Sequence, residues 1–129
     1  MILDTSALVA ILYREPEASA FAELIHDADL CRISVATYVE LSMVIDNQLG
    51  AEGMRQAEAF LRRAGILIEP VTVDQGELAR QAFLDFGKGR HRASLNFGDC
   101  FSYALAKATG EPLLFKGNDF SQTDIKVAS

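Results

Sequence analysis

Four carboxylates stand where a chain of alternating strands and helices would carry them to one place. Asp4 directly follows the short apolar run Met1–Leu3. Glu40 occupies a mostly apolar helical face, with Ala36, Thr37, Met43 and Val44 three and four residues away. Asp99 comes three residues after Asn96, at the start of an apolar helix. Asp119 ends the turn-like Lys116-Gly117-Asn118-Asp119 after a further apolar run. Each has an ordinary structural role open to it: an N-cap for Asp4, a paired or snorkelling position at the core edge for Glu40, a capping box for Asn96 with Asp99, and turn positions for Asn118 and Asp119. Asp124 competes with Asp119 but lies farther from the strand end. The combination is more informative than any member. Two carboxylates about 4 Å apart repel by about 4 kcal/mol at an effective dielectric near 20. Such a group takes up protons, moves apart or binds a cation. Oxygen donors without imidazole or thiolate favour Mg2+ or Mn2+ over zinc.

The elements that must position these acids follow from hydrophobic pattern and punctuation. Met1–Leu3, Leu30–Val35, Ile66–Ile68 and Leu113–Phe115 read as short buried strands, and Asp124–Val127 as a candidate fifth. Ser6–Tyr13 is helical, and Glu15-Pro16-Glu17 opens a second helix through about Ala28. Ala36–Leu49 ends at Gly50, and Ala51–Ala64 stops at Gly65. Asp74–Phe86 and Phe97–Thr109 complete the helices, with Gly87–Arg92 a loop between them. Strands alternating with helices predict an α/β fold, a parallel sheet of about five strands covered on both faces. Ligands then bind beyond the carboxyl ends of the strands, where Asp4 and Asp119 lie.

The 129 residues predict one domain spanning 1–129, with no repeat or linker. Half the residues are apolar and 23% are charged, which excludes a disordered chain. No apolar run reaches the ~20 residues of a membrane span, and the opening Met1-Ile2-Leu3-Asp4 does not read as a signal peptide. Cys31 and Cys100 make no metal or disulfide pattern, so a cytoplasmic protein is expected. Eighteen acids against twelve bases give a net charge of −6. A nucleic-acid substrate therefore requires a local basic patch or a bridging metal.

Met1–Ala7 (MILDTSA), Ser34–Glu40 (SVATYVE), Asn96–Ala106 (NFGDCFSYALA) and Leu113–Ile125 (LLFKGNDFSQTDI) together resemble the PIN-domain ribonucleases, above all the VapC toxins of toxin–antitoxin pairs. The similarity runs in order through essentially the whole chain. It implies a three-layer PIN-like fold and an acidic pocket for Mg2+ or Mn2+. Asp4, Glu40 and Asp99 match the three core acids, and Asp119 the fourth, more variable one, with Asn118 able to share or take that role. Ser6 matches the hydroxyl position after the first aspartate, where it would orient a bound water. The implied reaction is hydrolysis of RNA, with tRNA or rRNA the expected target, leaving 5′-phosphate and 3′-hydroxyl ends. Neither His26, expected on the surface, nor His91, in the loop, is then an obligatory catalyst.

Lys88, Arg90 and Arg92 place three of the twelve bases within five positions, beside the helix bearing Asp99. They are candidate RNA-phosphate contacts as well as a plain solvated loop; Arg14 and Lys116 are lesser candidates. The resemblance also implies inhibition of translation, a VapB-type antitoxin partner and a homodimer. Leu8, Ile11, Leu12, Phe21, Leu24 and Ile25 could receive an amphipathic antitoxin segment or form core. A haloacid-dehalogenase-like phosphatase would need a second aspartate at position six, where Ser6 stands. No GxGxxG follows the first strand to support a dinucleotide binder. A structure-specific DNA nuclease would need more acids and additional elements. The remaining alternative is a catalytically inactive PIN-like module that binds RNA or protein.

Overall fold

The computed structural model describes residues 1–129. Its elements are β1 (Ile2–Leu3), α1 (Thr5–Leu12), α2 (Ala18–Asp27), β2 (Arg32–Ser34), α3 (Val35–Arg63), β3 (Leu67–Glu69), α4 (Val73–Phe86), α5 (Phe97–Thr109), β4 (Leu113–Leu114) and a 3-10 turn at Phe120–Gln122. The strands form one parallel sheet in the order β3-β2-β1-β4. The order reverses beside β1, because the chain runs outward through β2 and β3 and then returns to the other side of β1 for β4. Crevices open at such a switch point, and Asp4 leaves β1 there.

Two-residue strands suffice because alternate side chains feed two different cores. Ile2 and Leu113 pack under α4 and α5, together with Ala79, Leu95, Ala104 and Leu105. Leu3 and Leu114 point the other way, into the layer made by α1, α2 and α3, with Leu8, Ile33, Leu41 and Ile45. All four strand residues are at most 2% exposed. The result is the three-layer α/β arrangement expected. No helix is long and apolar enough to cross a membrane.

The local signals explain most boundaries. Asp4 caps α1, Ser34 caps α3, and Thr72 caps α4 through side-chain oxygens that accept N–H bonds two or three residues on. Two expectations, the start of the second helix and the number of strands, need correction. The second helix begins at Ala18, because Glu15-Pro16-Glu17 forms a preceding turn closed by Ala18 N–H to Glu15 O at 2.9 Å. Gly50 interrupts α3 where a break was expected: its non-helical φ 67° and ψ −162° put a kink between two helical stretches, a conformation that costs a glycine little. The sheet has four strands rather than about five. Asp124–Val127 reduces to one parallel bridge, Val127 to Leu113, since Tyr103 and Lys107 anchor Asp124 to α5 and leave little chain to follow β4. Of the two roles open to the apolar stripe of α1 and α2, core is the one it mainly fills: Leu8 and Ile25 are buried, and Ile11, Leu12, Phe21 and Leu24 pack half-buried against the same cluster.

Candidate active site

Asp4 is the most enclosed of the four acids, at 4% exposure. As the N-cap of α1 its Oδ2 accepts the Ser6 backbone N–H at 3.0 Å and the Ser6 hydroxyl at 2.7 Å. Its Oδ1 accepts the Ser102 hydroxyl from α5 at 2.6 Å. Ser102 Oγ lies 3.3 Å from Thr37 Oγ1 on α3. Ser102 has one proton and gives it to Asp4, so Thr37 donates to Ser102. This buried chain of hydroxyls ties β1, α3 and α5 together behind the Asp4 carboxylate. Ser6 also accepts the Lys116 backbone N–H at 3.0 Å, which fixes the loop leading to Asn118 and Asp119.

Glu40, half-buried on α3, reaches the start of α1, where the Thr5 hydroxyl donates to its Oε1. It also lies against the backbone of α5. A Cβ added at Gly98 would stand 2.2 Å from Glu40 Oε2 and 2.6 Å from its Cδ. The absent side chain at Gly98 is therefore the seat of the Glu40 carboxylate. Asp99 follows immediately and completes the expected capping box: Asn96 N–H donates to Asp99 Oδ2 at 3.0 Å, and Asp99 N–H donates to Asn96 Oδ1 at 2.9 Å. Burial raises the Asp99 carboxyl from its ordinary value to about 7, against the lowering effect of the Asn96 hydrogen bond; the charges of Asp4, Glu40 and Asp119 push it further up. The four acids thus share one electrostatic field. The structural and functional readings of Asp4 and Asp99 are compatible, since capping uses some of their lone pairs and leaves others free.

Asp119 is exposed at the start of the 3-10 turn and makes no side-chain cap there. Asn118 is exposed beside it, its backbone carbonyl accepting the Ser121 hydroxyl at 2.7 Å. Asp124 is held elsewhere, accepting Tyr103 at 2.6 Å and Lys107 at 3.0 Å. The Tyr103 hydrogen bond is the main influence that lowers its carboxyl pKa, while burial pushes the tyrosine's own pKa up. Among the basic candidates, Lys88, Arg90 and Arg92 are exposed and free of ion pairs, whereas Lys116 is engaged by Glu15 at 3.0 Å and Glu17 at 3.5 Å. Three participants escaped the sequence analysis: Thr5, Ser102 and Gly98. Their signals were a hydroxyl next to Asp4, a hydroxyl one turn after Asp99, and a glycine inside a helix start.

No three His, Cys, Asp or Glu side chains converge tightly enough to enclose an ion by themselves. Asp4, Glu40 and Asp99 are each held by their own hydroxyl or N–H donors rather than by a common centre, and Asp119 stands exposed. The donor set is nevertheless all oxygen, and the negative charges of Asp4, Glu40 and Asp119 all act on Asp99, adding to the burial that raises its carboxyl. The residues present fit a hard divalent ion.

The family model described as PIN domain matches residues 1–126. The chain belongs to the PIN-domain family. Its membership is narrower than that. Ribonuclease VapC30 of Mycobacterium tuberculosis is 49% identical over 129 residues, covering 100% of this chain and 98% of that protein. Ribonuclease VapC of Mycolicibacterium smegmatis is 49% identical over 125 residues, covering 97% of each. This places the chain among the VapC ribonucleases. The PIN fold is matched by the crystal structure of Mycobacterium tuberculosis VapC20, a sarcin–ricin loop-cleaving toxin, at TM-score 0.76 and 20% identity over 96% of this chain and 95% of that one.

Proposed function

We propose that this VapC-family chain is the toxin of a type II toxin–antitoxin system, an endoribonuclease that hydrolyses RNA with Mg2+ or Mn2+ and inhibits translation by cutting tRNA or rRNA. The single observation carrying the reading is the shared negative field of Asp4, Glu40, Asp99 and Asp119 at the switch point of the sheet. Those four carboxylates would hold the cation. A divalent ion bound there neutralises their charge, polarises the scissile phosphate and lowers the pKa of the attacking water.

The chain's own groups do the positioning. Asp4 is locked by Ser6, and by Ser102 with Thr37 behind it, so its free lone pairs face the crevice in one orientation. Thr5 and the bare backbone of Gly98 set the Glu40 carboxylate. Asp119 and Asn118, on a short exposed turn, can approach a substrate from the β4 side, and Ser6 joins that loop to Asp4. Lys88, Arg90 and Arg92 supply cations for the RNA backbone, which the net charge of −6 otherwise repels. A VapB-type antitoxin is the expected inhibitor, in the cytoplasm, and a homodimer the expected assembly.

The test is cleavage of purified tRNA and rRNA by the wild-type protein and by an identically prepared Asp99→Asn variant, with Mg2+, Mn2+ or chelator. Discrete fragments with 5′-phosphate ends, formed only with metal and only by the wild type, are expected. Tight RNA binding without metal-dependent cleavage would replace this reading with an inactive binding module.

A further inference from the structure

An exposed aromatic opens the helix that carries Asp99 without a role in capping it. Phe97 is the first residue of α5, two positions before Asp99, and is 79% exposed. Capping of the helix is carried by Asn96 and Asp99, so the ring adds nothing there. Its orientation is nonetheless fixed, by an edge-on contact with Phe101 at 4.9 Å between centroids and 72° between planes. The two rings wall an open groove of about 410 Å3 between α4 and α5, with Ala79, Arg80, Phe83 and Cys100 on its other sides. The Arg90 guanidinium lies over the ring of Phe83, one of the lining residues, at 5.4 Å.

Charge selects the occupant. Eight of the twelve Lys and Arg side chains make no ion pair, and four of them, Arg80, Lys88, Arg90 and Arg92, belong to this groove or to the loop following α4. Unpaired cations interleaved with exposed aromatic rings suit a single-stranded nucleic acid, whose bases stack while its phosphates are neutralised. Residues 97 and 99 share the first turn of α5, but side chains two apart on a helix project about 200° from one another, so the groove and the acids occupy different sides of α5.

We propose that the α4–α5 groove is a nucleobase subsite of the RNA substrate, with Phe97 as its stacking platform and Arg80 and Arg90 as its flanking cations. The subsite rests on the ribonuclease reading and adds to it a residue that selects unpaired RNA. Because Phe97 lies outside the acid cluster, its loss weakens substrate binding and leaves the positions of the carboxylates unchanged.

The chain has no tryptophan, so Phe97→Trp introduces one reporter at the subsite. The binding experiment uses Asp99→Asn/Phe97→Trp and a mixed-sequence 12-nucleotide single-stranded RNA, compared with the same length of abasic backbone. Quenching by the intact RNA and little change with the abasic strand, whose charge is equal, is expected. In cleavage assays Phe97→Leu should raise KM by roughly 5- to 150-fold with unchanged melting temperature and unchanged salt slope, and Phe97→Tyr should restore the wild-type value. Equal quenching by both strands, or an unchanged KM in Phe97→Leu, overturns the subsite while the ribonuclease reading stands. A wild-type protein that cleaves no RNA overturns both. A change in solution mass of Phe97→Leu with unaltered RNA parameters overturns the subsite in favour of a protein contact.

Discussion

Gly98→Ala separates stability from activity in a way the structure makes quantitative. The new methyl group would fall 2.2 Å from Glu40 Oε2, 2.6 Å from Cδ and 2.7 Å from Oε1. Ordinary van der Waals contact needs about 3.4 Å or more, so the carboxylate must retreat by about 1 Å. The obstacle is the end of a flexible side chain, so the fold can yield by moving Glu40 off its rotamer at about 0.5–1.5 kcal/mol. Alanine in place of glycine within a helix returns about 0.5–1 kcal/mol. These terms nearly cancel, and urea denaturation should show a change within about 1 kcal/mol. Activity should not be spared, because a 1 Å misplacement of a catalytic group costs about 100-fold. Metal-dependent RNA cleavage under single-turnover conditions is the assay. Adding Glu40→Asp, one methylene shorter, should recover part of the loss. A Gly98→Ala protein that cleaves at the wild-type rate would show that the seat of Glu40 beside α5 has no bearing on catalysis.

Asp99→Asn should stabilise the metal-free protein at neutral and alkaline pH while abolishing cleavage. The unfolded aspartate ionises near 4, whereas the folded one keeps its proton to about 7. The folded state therefore binds more protons across that window, and its stability falls as pH rises from about 4 through 7. The full shift corresponds to at most about 4 kcal/mol, and partial exposure reduces this to about 1–2 kcal/mol. Denaturation in chelator at pH 4 and pH 8 should show equal stabilities at the lower pH and the variant ahead at the higher; no difference at pH 8 refutes the burial of charge. Ser102→Ala removes one buried donor from Asp4 and the acceptor of Thr37, and should cost about 1–3 kcal/mol in thermal denaturation. Replacing Lys88, Arg90 and Arg92 together by alanine should weaken RNA binding and flatten the dependence of log affinity on log salt by about 2 for a single strand. An unchanged slope would leave those three side chains as ordinary solvated charges.

Much of this architecture is dictated by neighbours in the chain. The capping box of α5 needs only Asn96 and Asp99, the start of α1 only Asp4 and Ser6, and the paired apolar residues of β1 and β4 only the alternation of a pleated strand. Those interactions close within three residues, so residue type and spacing announce them. Even the bend of α3 was announced by Gly50, although a glycine in a helical pattern does not say whether the chain stops or turns. What lay outside the sequence were relations between distant segments. Ser102 meets Asp4 across 98 residues, and Thr5 meets Glu40 across 35. Gly98 matters for the side chain it does not have, which is visible only once Glu40 occupies the space. The fate of Asp124, the shortened fifth strand and the exposure of Phe97 are likewise set by which surfaces the packed layers leave open. Local hydrogen bonding fixed where the acids begin their helices; the close packing of α1, α3 and α5 on one sheet decided which donors hold them and which space their carboxylates share.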